Sequence, residues 1–295
     1  MRTKRISGLL WTLAAGVAAV LCLAGFTIPP AASARSLQEG VVLQYKMAAG
    51  RVLQYQLTSS TKEVADMMGQ TVEGETKTKS DFSLRPKGQR KNDHLLEVTV
   101  NDIETSITSA RGSLSPDMSP VKGKTFDMVL SPLGVEVDVS GAEAITFEVA
   151  GSTRNIASGF KAFFPDLPGR PVKVGDSWPS SFTVEDKSST MSITYTIESV
   201  NTLDGFETVD GLECARISSK FTGGMSGSGQ LQGMDMALTA TIKGTDITHF
   251  APREGIYVRT TSDMVREITA TLSGPQNLTI PSTQTTTMEV KLVAR

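Results

Sequence analysis

Apolar and polar residues alternate with a period of two along most of this chain, the pattern of strands that bury one face and leave the other in water. In the first half the runs are Leu53, Tyr55, Leu57; Leu96, Val98, Val100; Phe126, Met128, Leu130; and Val135, Val137, Val139. In the second half they are Met191, Ile193, Tyr195, Ile197; then Met234, Met236, Leu238, Ala240, Ile242; then Ile256, Val258; and Met288, Val290, Leu292. Thr and Ser fill many of the positions between, as a pleated, wet face prefers. Val41, Leu43 and Tyr45 form a further run, and Ala49-Gly50 after it predicts a hairpin onto Leu53–Leu57. Ser131-Pro132-Leu133-Gly134 supplies the Pro and Gly of a tight turn between two runs. Several runs reach about ten residues or more, which favours a large curved antiparallel sheet or an open half-barrel over a sandwich of short strands.

The alternation breaks once. From Ser152 to Phe164, Ile156, Phe160 and Phe163 or Phe164 stand near i, i+4, i+7, and Ser152 or Thr153 offers a cap. One short central helix is the expectation there. Pro165, Pro168 and Pro171 follow, too many for regular structure. The organisation this predicts is a first β half over 35–151, a helix and Pro-rich crossover over 152–178, and a second β half over 179–295. Both halves run as meanders of similar length, in the style of a diverged duplication. One crossover within a single sheet is preferred to two domains, because each half alone would leave a broad apolar face uncovered.

Ahead of this lies a different kind of segment. Arg2, Lys4 and Arg5 precede an uncharged run from Ile6 to Ile28, and Ala32-Ser33-Ala34 ends it. Those are the three parts of a secretory signal, so 1–34 is expected to be cut near Ala34 and the product to be periplasmic or secreted. The run approaches the ~20 residues that span a bilayer, so an uncleaved membrane anchor stays open as the alternative. Cys22 suggests lipidation, but the bulky Leu21 before it does not suit that processing.

Cleavage would remove three of the 29 Lys and Arg and leave 26 against 31 Asp and Glu. A mildly acidic chain with mixed charges lacks the concentrated basic field that nucleic acid requires, so nucleic acid is not an expected partner. The basic group Arg85, Lys87, Arg90 and Lys91 reads as a solvated loop around Pro86 and Gly88. Cys214 is then the one remaining cysteine, and its alternation with Leu212 predicts a buried thiol and a core that must stand without disulfides.

Signals for catalysis are sparse. His94 and His249 are the two histidines, and each stands at a strand end. Gly223-Gly224-Met225-Ser226-Gly227-Ser228-Gly229 misses the nucleophile elbow, because Ser228 occupies the place of its last Gly, and it reads as a flexible hairpin loop. Two histidines and one cysteine set no metal spacing, and neither a metal nor a cofactor is expected. Met225, Met234 and Met236 could face one way, as copper ligands do, but core packing explains the same spacing.

The segments Pro171–Trp178, Gly211–Ile217 and His249–Val258 resemble those of uncharacterised secreted bacterial β-rich proteins, thought to share a half-barrel sheet with the periplasmic lipoprotein carriers. In that resemblance Gly175 serves a turn, Trp178 anchors a strand start and Gly255 serves a hairpin. It implies a fold and a tendency to hold apolar ligands on a concave sheet.

Methionine's adaptable thioether suits such a surface, so Met128, Met191, Met234, Met236, Met264 and Met288 are the candidate ligand-binding residues. Ordinary core packing is the blander account of the same positions and the one that core composition favours. Met67 and Met68 form an apolar pair in a polar stretch, a candidate lid or partner contact. The expected function is a non-enzymatic envelope protein that binds a hydrophobic small molecule or lipid. An interaction module with a filled core, recruiting an envelope protein, is the second reading, and a hydrolase using His94 or His249 is the third.

Overall fold

Each β run in the sequence except Val41–Tyr45 falls in a strand, and most strands are far longer than the run that announced them. The computed structural model describes residues 40–295 except 111, 150, 232, 275 and 276. The expected export segment lies outside the described residues. The strands are β1 (Leu53–Met67), β2 (Gln70–Arg90), β3 (Asp93–Ser109), β4 (Gly112–Leu114), β5 (Thr125–Leu130), β6 (Glu136–Asp138), β7 (Thr146–Val149) and β8 (Ser152–Asn155). They continue as β9 (Ser177–Lys187), β10 (Met191–Val209), β11 (Leu212–Leu231), β12 (Met234–Ala251), β13 (Ile256–Ser273) and β14 (Leu278–Ala294). Strands β1 and β2 span 15 and 21 residues, so at about 3.3 Å per residue they reach roughly 50 and 70 Å.

Twelve strands make one unclosed antiparallel sheet in the order β6-β5-β3-β2-β1-β14-β13-β12-β11-β10-β9, with β4 beside β3; β7 and β8 form a separate ribbon. The halves join where the first and last long strands pair, Leu57 opposite Val290 and Thr61 opposite Thr286. One sheet rather than two therefore carries the chain.

The core gathers at one end of the strands, the base. There Leu53, Tyr55, Phe82, Leu84, Leu96, Val98, Ala215, Ile217, Phe250 and Tyr257 point to one face and are buried. Residues of the 139–176 connection fill the trough between them. Phe163 stands edge-on to Phe82 at 4.8 Å between ring centroids, and Tyr55 stacks on Tyr257 at 5.1 Å. Such aromatic pairs add about 0.5–1.5 kcal/mol each beyond the area they bury.

Four local expectations are corrected here. The central helix is absent: Ser152–Asn155 is strand β8, and the helical part shrinks to a 3-10 turn over Ala157–Phe160. Gly159 inside the turn and Pro165 just beyond leave too few good helix formers for a second turn, and the turn instead delivers Phe160 and Phe164 to the core.

Val41–Tyr45 does not pair with β1. The Ala49-Gly50 turn forms, but the segment before it crosses the trough, bridging Val41 to Val172 and bonding Tyr45 N–H to the Pro132 carbonyl and Lys46 N–H to the Gly255 carbonyl. Leu43 and Tyr45 are buried by this path. Period two recorded their alternating burial and could not record their partners.

Of the basic group, Arg85, Lys87 and Arg90 lie on the end of β2, beside a bulge at Pro86/Gly88, and Lys91 alone is in the turn that follows. Arg85 pairs with Glu97, Lys87 with Asp127 and Arg90 with Asp138 along the wet edge. Gly223–Gly229 is not a loop either but the interior of β11. A Cβ on Gly223 would lie 2.3 Å from the Thr196 carbonyl oxygen and 2.6 Å from Ile197 Cδ1, and one on Gly229 2.2 Å from the Thr190 carbonyl oxygen. Glycine is required there by a neighbouring strand that folds over it.

Candidate functional site

The pairing register assigns each long strand two faces. Outward positions hold Lys62, Lys77, Lys79, Lys220, Lys243 and Glu267, with many Thr and Ser between them. A strand that crosses a membrane in a barrel turns its apolar side outward. This sheet does the reverse.

The inward face changes character along its length. Above the base core comes a belt of hydroxyls in which Thr248 pairs with Thr260 at 2.9 Å, Thr61 with Thr286 at 2.9 Å and Thr78 with Thr105 at 3.3 Å. In the same belt Ser219 donates to Asn201 Oδ1 at 2.6 Å, and Asn201 donates to Ser180 at 3.0 Å. Asp246 stands beside them, lifted by burial to about 6 against the hydrogen bond from Ser262. The loop carrying Met118 borders an open cleft of about 930 Å³, lined by Ser59, Thr78, Ser262 and Met288 and also by the charged Lys79 and Lys122.

Beyond the belt the face turns apolar again over β10–β13. Ile197, Met225 and Ile242 are buried, and Ile193, Phe221, Leu238, Met264 and Ile268 pack around them half-exposed. The cluster lies where the sheet curls, and the β7–β8 ribbon approaches it from the β9–β10 side, Arg154 facing Asp186 at 3.9 Å. Arg266 of β13 lies with its Cζ 5.8 Å from the ring centroid of Tyr195 on β10. Three strand spacings of about 4.8 Å would hold those strands roughly 14 Å apart in a flat sheet. The glycines of β11 permit the closure, since a side chain at Gly223 or Gly229 would block it. A second cleft of about 670 Å³, with Ala65, Ala240, Ile268 and Ser282 in its lining, opens beside the cluster.

The structure distributes the six candidate methionines. Met128 is wholly enclosed in the base core, and Met288 packs against that core while lining the larger cleft. Met264 joins the upper cluster, and Met191, Met234 and Met236 lie half-buried near the strand tips. Met225, weighed in the sequence only as a copper ligand, stands at the cluster's centre. Among the described residues no group of three or more His, Cys, Asp or Glu is placed to hold a metal ion. Met68 is at a turn tip, 81% exposed with φ +58°.

The histidines do not form a site together. His94 is buried with Nε2 3.1 Å from the Tyr45 carbonyl, so it ties down the segment that crosses the trough. His249 lies on β12, with β2, β1, β14 and β13 between it and the strand of His94, and pairs outward with Glu207. Cys214 is buried, as its alternation predicted, and burial pushes its thiol up to about 11. A thiol so protonated is a poor nucleophile.

Arg266 went unnoticed in the sequence, yet a signal was there. It falls in phase with Met264, Ile268, Ala270 and Leu272, so period two already assigned it to the apolar face.

These features define a mainly β protein built on one unclosed antiparallel sheet, with a polar outer face and an inner face that is apolar at two levels. No family model matches the chain, and no curated protein does. Among solved structures it is similar to Pseudomonas aeruginosa OccK5 (OpdH), at 7% identity and TM-score 0.29, over 83% of this chain and 99% of that one. Pseudomonas aeruginosa OpdQ matches at 8% identity and TM-score 0.24, over 82% and 99%, and Acinetobacter baumannii OccAB4 at 10% and 0.20, over 84% and 100%. Likeness at this level assigns neither a ligand nor a location.

Proposed function

We propose that this chain is a non-enzymatic binding protein of the cell envelope that holds a hydrophobic molecule, such as a lipid chain, on the inner face of its sheet. The observation that carries the reading is the upper cluster around Ile197, Met225 and Ile242, an apolar patch set beyond a polar belt and bordered by the second cleft, which shares Ala240 and Ile268 with it. A sheet needing only stability would concentrate its apolar residues at the base, where the 139–176 connection covers them. Apolar side chains left half-exposed on a concave face mark a binding surface. The clefts, about 930 and 670 Å³, fall within the range of small-molecule sites. The export pattern of residues 1–34 and the resemblance of three motifs to secreted bacterial β-rich proteins support an envelope location and a half-barrel carrier.

Native mass spectrometry on protein purified from its own envelope fraction is the test. The expected result is an apolar mass bound by the folded protein and released by organic solvent. A bare protein mass, together with no uptake of an environment-sensitive acyl dye, overturns the reading.

A further inference from the structure

Arg266 is an anomaly on the inner face. From the level of Ser59 to the strand tips, the inward positions of β1, β2 and β9–β14 carry no lysine and this one arginine. Around it in the register stand Ile242 and Gln284, with Met264 and Ile268 two residues away along β13. The guanidinium lies over the Tyr195 ring, and Nη1 donates to Gln284 Oε1 at 3.4 Å. Its buried Nε has no hydrogen-bond partner. Among the described residues no carboxylate lies within ion-pair distance of it: the inward acids are Glu63 on β1, Asp246 beside Ser262, and Asp186, which faces Arg154 at 3.9 Å. Burial lowers the pKa of Arg266, a mark of a charge that the protein solvates poorly.

A partly buried cation without a counter-charge is costly, and arginine keeps its charge at any working pH. The protein bears that cost at the edge of its upper apolar cluster, two residues along β13 from Ile268, which lines the second cleft. A structural role would be met as well by a neutral side chain.

We propose that Arg266 is the headgroup site of the inner face and that the occupant is a single-chain amphiphile with a carboxylate end, of the long-chain fatty acid class. The planar fork of the guanidinium matches a carboxylate in two parallel hydrogen bonds, and the incoming anion gives the unpartnered N–H an acceptor. The chain then runs from Arg266 past Ile268 and Ala240 into the second cleft, and Tyr195 holds the guanidinium from its other side. Gln284 orients the fork. This assignment rests on the apolar-binding function and adds to it the charge of the ligand.

Delipidated full-length protein, titrated with palmitate and separately with hexadecanol of the same chain length, tests it, read by displacement of a fluorescent acyl probe. Wild type is expected to bind palmitate about 10-fold or more tighter than hexadecanol, the strength of a charge-assisted pair. Arg266→Gln is expected to remove that preference, so that palmitate and hexadecanol bind alike. The thermal midpoint of Arg266→Gln should equal or exceed that of wild type, since an unpaired charge is lost. Equal binding of both probes by wild type, or a palmitate preference that survives in Arg266→Gln, overturns the headgroup site and leaves the apolar-binding function standing. Failure of both probes to bind wild type overturns both.

Discussion

Arg266 lies over the ring of Tyr195, 5.8 Å from its centroid, although two whole strands separate β13 from β10. The contact measures how far this sheet curls. It also locates the cause, because the strand crossed most closely is β11, whose inward positions 223, 227 and 229 are glycine.

Gly223→Ala should therefore act on the curl. The added methyl meets the Thr196 carbonyl oxygen and Ile197, and overpacking of that kind costs about 1–3 kcal/mol. Chemical denaturation should show the loss, and amide exchange should rise in β10–β12 with little change at the base.

The crossing segment is predicted to be a keystone of the base. Leu43 is fully buried, so Leu43→Ala should cost about 2–5 kcal/mol. The same variant should expose the Ala48–Arg51 turn to limited proteolysis. An unchanged unfolding midpoint would show that the trough is held without this segment.

Glu136 predicts a pH dependence with a definite sign. Its carboxylate accepts the N–H groups of Phe163 at 2.8 Å and Phe164 at 2.7 Å, yet burial outweighs these bonds and raises it to about 8. The folded protein thus holds a proton that the unfolded chain releases at an ordinary carboxylate pKa near 4.3. The stabilisation is complete below the unfolded value and is lost as pH rises through about 8. Asp246, raised to about 6, adds a loss of the same sign at lower pH. Glu136→Gln, which keeps an acceptor for both N–H groups, should flatten the decline between roughly pH 4.5 and 8 in a series of urea melts.

Half-exposed members of the upper cluster should govern apolar binding more than stability. Ile193→Ser with Leu238→Ser is expected to lower the uptake of an acyl dye several-fold while the thermal midpoint falls only modestly. A full loss of folding with these two changes would assign the cluster to the core.

Much of the local structure is written in the chain. Alternation around Leu53–Leu57, Leu96–Val100 and Met234–Ile242 predicted strands that form. Ser131–Gly134 turns between β5 and β6, and Gly175 and Gly255 take the positive φ that their turns require. These are short-range properties: side-chain direction follows from parity, and glycine's tolerance from its missing Cβ.

Other features depend on neighbours far along the chain. The run of glycines in β11 looks like a loop to any local reading, because what excludes side chains there is distant backbone, the Thr196 carbonyl at Gly223 and the Thr190 carbonyl at Gly229. The same holds for the helix expected over 152–164, whose phenylalanines are spaced for a helical face but are drawn into the aromatic trough around Tyr55 and Phe82. The residues themselves determined strand character, the two-faced pattern and the burial of Cys214, each a consequence of parity and side-chain chemistry within a few positions. Tertiary structure alone decided that β1 pairs with β14 to make one sheet, that Val41–Tyr45 crosses the trough, and that Arg266 stands at the edge of the upper apolar cluster with no carboxylate among the described residues in ion-pair reach. Parity states which face a residue occupies, and only the pairing register and the curl state what else shares that face.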